Sequence, residues 1–349
     1  MNRETTFAAQ LLENGASGYA GVAAGVLLER FPTLAERYAP SAFRDWKGHL
    51  RQRILELSAA LEAAEPNLFA SRIRWERIAF RSRSLDEEDL RCGLVCLRDV
   101  LGEELPDNAR ASVDRYVDPV LDSWSESVDE EVGLDPKDPV DRLALHYMET
   151  ALQGDSLAAI DRIVGAVGDE MTVTDAYFAL MRAQQEAGRL WHLGELNIAE
   201  EHVVTATTER ATAVLVQGAP RAEPNGKTAV VAAVAGNRHS LPVRAVADFF
   251  ALVGWRSISL GADLPVSEAV AAVECFKADI MALSVAMPTQ IKAARETVTA
   301  TRRVHPELKV LVGGRVFFEA PDLWQRIGAD GYIDRVQDAP SVAFDLLTD

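Results

Sequence analysis

The sequence predicts a multidomain protein. An all-α N-terminal domain comes first, then a four-helix bundle, then an α/β doubly wound domain of flavodoxin-like type. Three observations carry this. Apolar residues recur at helical spacing from the N-terminus to about Gln217. Gly154, Gly168, Gly194 and Gly218 punctuate four successive helical runs, as glycines do just past helix ends. From Lys227 onward, short apolar runs alternate five times with helical patterns, the signature of a parallel sheet covered on both faces.

Each part follows from its own pattern. In the first domain, read over 1–128, WKGHLRQRILELSAALEAA puts Trp46, Leu50, Ile54, Leu57 and Leu61 on one helix face. LDEEDLRCGLVCLRDVL does the same with Leu90, Leu94, Leu97 and Leu101, and Asp86 is a candidate cap. Residues 129–141 are acidic, carry Gly133, Pro136 and Pro139, and read as a linker. The bundle occupies 142–217, and short turns make its helices antiparallel neighbours. After the loop GAPRAEPNGK, the α/β domain fills 227–349. Its strands are TAVVAAVAG, SISLGAD, IMALSVA, KVLVGG and GYID. APDLWQRIG is among the helical patterns between them.

Composition narrows the function. A formal net charge of -17 argues against direct nucleic-acid binding, which rewards Lys and Arg. Three cysteines make no disulfide framework and fit a reducing cytoplasm. The N-terminus lacks the layout of a signal peptide, and no run approaches the ~20 apolar residues of a membrane span. A soluble cytoplasmic protein, away from membranes, is expected.

In doubly wound sheets the ligand sits beyond the carboxyl ends of the strands. The loops there are Gly236-Asn237-Arg238-His239-Ser240-Leu241-Pro242 after the first strand, Ser284 after the third and Gly313-Gly314 after the fourth. No GxGxxG or Walker sequence follows the first strand, so those nucleotide sites are not supported. A lone histidine such as His239 is more often structural or solvated than a ligand. Upstream, LWHLGELNIAEEHVV places Trp191 and His192 at the end of one helix and Glu201 and His202 at the start of the next. The turn at Gly194 folds one over the other, so the four side chains can share a face. The plain alternative is a core aromatic beside solvated charges.

The loop Gly236–Pro242 resembles the cobalamin-binding signature Asp-x-His-x-x-Gly. Ser284 and Gly313-Gly314 resemble its later parts. The resemblance implies His239 as the ligand beneath cobalt, with Asn237, Arg238, Ser240, Ser284, Gly313 and Gly314 around the cofactor. Asn237 stands where the family has an acid, and Pro242 where it has glycine. An amide can accept the imidazole N–H without adding charge. Pro242 is tolerated only in a first helical turn.

Trp-His followed at fixed spacing by Glu-His, in a four-helix cap, resembles B12-dependent photoreceptors. That implies adenosylcobalamin as cofactor, with Trp191, Ile198, Glu201 and His202 lining its upper side. After light breaks the Co–C bond, His192 becomes the upper cobalt ligand opposite His239. The chain is then a light sensor rather than an enzyme, a homo-oligomer that signals to an unidentified downstream protein.

In the first domain, RIRWERIAFRSRS gathers Arg72, Arg74, Arg77, Arg81 and Arg83 around Trp75 and Phe80. One reading is a pocket for a planar anion. The other is a helix face paired with nearby glutamates. Cys92 and Cys96 share one helical face and are a chromophore attachment point or simply core. His49 is a further contact candidate or plain surface. The domain order resembles photocobilins, which implies biliverdin as a second chromophore near Arg72, Arg74 and Cys92. The helical pattern is similar to globin-like, haem-free sensor domains.

Two other readings stand beside the light sensor. One is a corrinoid protein that carries methyl groups for methyltransferases, using the same sheet and His239. The other is a relic that binds no cobalamin, for which Asn237 and Pro242 speak.

Overall fold

A computed structural model describes residues 3–128, 132–168 and 171–348. Six helices come first: α1 (Arg3–Arg30), α2 (Pro32–Arg37), α3 (Ala42–Ala63), α4 (Pro66–Ser82), α5 (Glu87–Glu104) and α6 (Asp107–Asp122). Asp86 caps α5 by accepting from the Glu88 N–H, which satisfies a donor the helix start leaves open. Of the acidic segment, Asp129, Glu130 and Glu131 lie outside the described residues, and Pro139 already opens the next helix.

Four helices follow: α7 (Pro139–Leu152), α8 (Ser156–Gly165), α9 (Val173–His192) and α10 (Ile198–Gly218). Thr172 with Asp175, and Asn197 with Glu200, form reciprocal capping boxes at the starts of α9 and α10. Gly194 takes φ +71 just past α9, a conformation that costs glycine little. Two capped helices joined by that glycine make the tight α9–α10 hairpin.

The remaining chain alternates β1 (Thr228–Ala233), α11 (Ser240–Leu252), β2 (Arg256–Ser259), α12 (Val266–Phe276), β3 (Ile280–Ser284), α13 (Ile291–Val304) and β4 (Lys309–Gly313). It ends with α14 (Val316–Glu319), α15 (Leu323–Arg326), β5 (Gly331–Ile333) and α16 (Ala339–Thr348). The five strands are parallel, in the order β2-β1-β3-β4-β5. This is the flavodoxin-like order, and its switch point lies between β1 and β3. APDLWQRIG does not form one helix. Ala320 leaves helical geometry at φ -141, as the residue before Pro321 prefers, and only the four-residue α15 follows.

Three apolar clusters hold the chain. One face of the sheet, with α12 and α13, shares a continuous core with the N-terminal helices, including Leu50, Leu57 and Leu97 beside Met281 and Val312. Salt bridges rim that contact: Glu65 to Arg326 at 2.8 Å, Glu13 to Lys292 at 2.9 Å, and Glu62 to Arg295. The other face packs Val231 and Leu311 against Phe250 and Ala343 of α11 and α16. The bundle has its own core around Tyr147, Tyr177 and Leu180, which also takes in Ala245 and Phe249 of α11. The N-terminal helices and the bundle therefore lie against opposite faces of the α/β layer.

Candidate functional site

The switch point is built from the loop after β1. Asn237 is fully buried there. Its Nδ2 donates to the Ser284 carbonyl at 3.0 Å, at the end of β3. Its Oδ1 accepts from the His239 backbone N–H at 3.1 Å and lies 2.8 Å from His239 Nδ1. The two backbone partners fix which end of the amide is which. Amide oxygen only accepts, so Nδ1 of His239 carries a proton, and in the neutral ring the lone pair is on Nε2. His239 is exposed, at the N-cap of α11. A neutral imidazole held by one nitrogen with the other open is the donor a metal needs.

The neighbours explain the loop shape. Gly236 sits at φ +82 and gives its N–H to Asp263 at 2.7 Å. Gln290 donates to the Gly236 carbonyl at 3.0 Å and accepts from the N–H groups of Ala286 and Met287. Pro242 is the third residue of α11, in the first turn, where its missing N–H is not needed. Ser240 donates to Glu209 of α10 at 3.2 Å, which ties this loop to the bundle. Arg238 is exposed on the same loop.

Gly313 ends β4 opposite Ser284 of β3. Gly314 has φ +121, and a Cβ there would lie 2.2 Å from the Val285 carbonyl oxygen. A Cβ on Gly313 would meet the Ile333 oxygen at 3.1 Å. Close approach of neighbouring backbone therefore accounts for both glycines without a ligand.

At the α9–α10 hairpin the four expected side chains do not form one open face. His192 is buried, and its ring stacks on Trp75 of α4, with centroids 4.0 Å apart and planes 16° from parallel. Its carbonyl accepts from Ser82 at 2.9 Å. Trp191 is half-buried, with the Arg83 guanidinium 5.7 Å from its ring centre. Glu201 and His202 instead bond each other, at 2.6 Å. Glu201 also accepts from Gln184 and Thr205. Burial pushes the Glu201 carboxyl up, but the bonds from Thr205 and His202 outweigh it and hold the group below the usual range. Ile198 is exposed at the start of α10. The His192 ring is thus engaged by the N-terminal helices, a contact that the expected role as an upper cobalt ligand did not include.

The arginine-rich stretch pairs internally. Arg72 reaches Glu56 at 3.2 Å and lies over Trp75, 4.5 Å from its ring centre. Arg53 and Glu56 are both buried and paired at 2.9 Å, and Glu76 joins them. Arg74 is exposed and bonds Ser71. Burial and the acids Glu88 and Asp89 push the Cys92 thiol up, away from reactive thiolate. Arg72, Arg74 and Cys92 thus do not converge on an open anion pocket. The paired-helix-face reading is the one realised for Arg72, because its acids come from α3 and α4.

Sequence reasoning missed Gln290, Asp263 and Glu209, and did not foresee the contact of Trp75 with His192. Only Gln290 carried a signal, in the Pro-Thr-Gln turn after β3.

Comparison with known proteins bears on what this site holds. Residues 227–341 match the B12 binding domain family, and residues 146–216 match a second B12 binding domain family. Dimethylamine corrinoid protein 1 of Methanosarcina acetivorans is 25% identical over 198 residues, 55% of this chain and 89% of that protein. Dimethylamine corrinoid protein 1 of Methanosarcina mazei is 26% identical over 175 residues, 48% of this chain and 79% of that protein. The structure of the Methanosarcina barkeri monomethylamine corrinoid protein superposes with TM-score 0.50 at 16% identity, over 59% of this chain and 98% of the other, a likeness of fold.

These domains indicate a corrinoid cofactor. The light-sensor reading is overturned, because the relatives are corrinoid proteins of methylamine systems. The relatives show neither an adenosyl ligand nor biliverdin. The relatives do not make the chain itself an enzyme. Among the described residues, no helix is long and apolar enough to cross a membrane.

Proposed function

We propose, for a chain that carries B12-binding domains at residues 146–216 and 227–341, that it holds a corrinoid and carries methyl groups between partner methyltransferases. The observation that carries this reading is the Ser284–Asn237–His239 chain at the sheet's switch point. In this reading the working units are 142–217 and 227–349, with 1–128 as an addition.

When bound, the corrinoid supplies a cobalt that can take up and release a methyl group. The protein's part is positional. Asn237 fixes the tautomer of His239 and leaves Nε2 as the nitrogen that would hold the cobalt. The amide is neutral and takes up no proton itself. Ser284 holds Asn237 from the neighbouring strand. The Glu209–Ser240 bond keeps the bundle in register with the loop that bears the ligand. Glu201, with its carboxylate held ionised, and the exposed Ile198 and His202 form the bundle's approach to the cofactor.

The test is reconstitution of the full chain with cobalamin, followed by electron paramagnetic resonance of the Co(II) form. Splitting from one axial nitrogen is expected in the parent and absent in His239→Ala. A parent that binds no corrinoid, or keeps the same splitting after the substitution, overturns the assignment. The carrier reading is tested separately, by methyl transfer from the loaded protein to a small thiol.

A further inference from the structure

One of the N-terminal helices, α4, touches both the bundle and the α/β domain. α4 meets the bundle at the end of α9, where Trp75 stacks on His192 and Ser82 bonds the His192 carbonyl. The Ser82 carbonyl lies so close to Gly194 that a Cβ there would stand 3.2 Å from it. The same helix faces α14, directly after Gly313-Gly314 at the carboxyl edge of the sheet. Arg72 and Arg74 of α4 offset part of the burial that pushes the Glu319 carboxyl up. The rest of the N-terminal domain is fused to the sheet through a shared core and three salt bridges. The bundle has a separate core and joins the α/β layer at α11.

We propose that α4 is a latch: Trp75 and Ser82 clasp the α9–α10 hairpin against the carboxyl edge of the sheet, and their release lets the bundle swing about α11. That this swing admits a methyltransferase to the cofactor rests on the carrier reading above. The clasp itself does not. It is a contact between α4 and the end of α9, made by residues of the chain alone.

The geometry specifies what moves. His192 ends α9, so loss of its contact frees the hairpin turn, while Tyr177, nearer the start of α9, keeps its bond to Asp248 at 2.8 Å. A hinge at α11 and a catch at α4 lie at different points along one rigid helix. Opening therefore needs no unfolding of the bundle core.

The experiment is hydrogen–deuterium exchange on the full chain without cofactor, comparing the parent with Trp75→Ala, Trp75→Phe and Ser82→Ala. The last two guard against a fold lost through Trp75→Ala. Removal of an aromatic stack should speed exchange over 190–201 about tenfold. Trp75→Phe, which can still stack, should lie between, and Ser82→Ala should show a smaller rise. Peptides from β1, β3 and α11 should exchange at parent rates. Unchanged exchange over 190–201 in all three variants overturns the latch. So does a rise spread equally over the sheet, because that reports general destabilisation. Cobalamin loading, followed by absorption, separates the two proposals. Faster exchange in a chain that binds no cobalamin keeps the latch and removes the carrier, whereas normal binding with unchanged exchange does the reverse.

Discussion

Asn237 is the residue on which the proposed site turns, and its removal has a calculable effect. Asn237→Ala deletes three hydrogen bonds from a fully buried side chain: one donated to the Ser284 carbonyl at 3.0 Å, one accepted from the His239 backbone N–H at 3.1 Å and one accepted from His239 Nδ1 at 2.8 Å. The exposed ring can replace its bond with water at little cost. The two backbone groups are less free to do so, and at about 1 kcal/mol each, with a small cavity added, the fold should lose about 2–3 kcal/mol. Affinity for corrinoid should fall separately, because imidazole then spends time in orientations that miss cobalt. Loss of such a supporting group typically weakens a metal ligand about 10- to 100-fold. Asn237→Asp divides the two effects. A carboxylate still accepts both N–H groups, so it keeps His239 aimed, but it cannot donate to the Ser284 carbonyl and sets oxygen against oxygen. It should lose stability while holding affinity near the parent's. Urea unfolding of the cofactor-free chain gives the first quantity and absorption titration with cobalamin the second. If Asn237→Ala binds cobalamin within about twofold of the parent, with the same axial nitrogen signal, Asn237 does not position the ligand.

Two further outcomes follow from the geometry. Gly314→Ala forces a side chain into φ +121 and onto the Val285 oxygen, so unfolding in urea should show a loss of about 3 kcal/mol or more, and a midpoint equal to the parent's would refute the close approach. His49 is pushed down to about 4 from an ordinary 6.5, mainly by burial and then by the Arg53 charge. Its folded-state pKa is depressed, so the stability it contributes is full above pH 6.5 and is lost as pH falls towards 4, by about 3 kcal/mol at most. His49→Phe preserves ring contacts with Trp46 and Phe80 and should lose correspondingly less stability between pH 7 and 4. Parallel pH profiles for parent and variant would count against a neutral buried imidazole.

How much of this was legible depended on the range of the interaction. The five strands were legible because a sheet covered on both faces writes unbroken apolar runs into its strands. The hairpin turn was legible because Gly194 and the Asn197–Glu200 box act within a few residues. His239 could be singled out by its place after the first strand. That Asn237 spends its second group on Ser284 could not, since the partner sits on another strand and is a backbone atom. Which of the two readings of Arg72 holds could not be decided for a similar reason, because Glu56, the acid nearest to it, comes from another helix. The surroundings of His192 were the least legible. Four residues near one turn were expected to share a face, but a helix far upstream supplies Trp75 and takes one of them. Local spacing carries no record of that contact.

The three parts of the chain are held together with unequal strength, and the inequality decides which contact opens first. The N-terminal helices share one core with the sheet, so parting them would expose many fully buried side chains, each costing about 1.5–3 kcal/mol. The bundle holds α11 through Phe249, nearly buried in the bundle core, and through the Tyr177–Asp248 bond. Breaking that would expose Phe249 and leave Tyr177 without its carboxylate. The contact at α4 is smaller. An aromatic stack contributes about 0.5–1.5 kcal/mol beyond its buried area. The Ser82 bond adds about 1 kcal/mol. The area buried by the two rings and the Arg83 contacts with Trp191 and the His192 carbonyl come on top. It is still the smallest of the three contacts, so it is the one a partner that prefers the open form would shift first, at about 1.4 kcal/mol of preference per tenfold change in population. Movement of the bundle is therefore channelled into one mode, with α11 as the pivot and the Trp75–His192 stack as the element that yields.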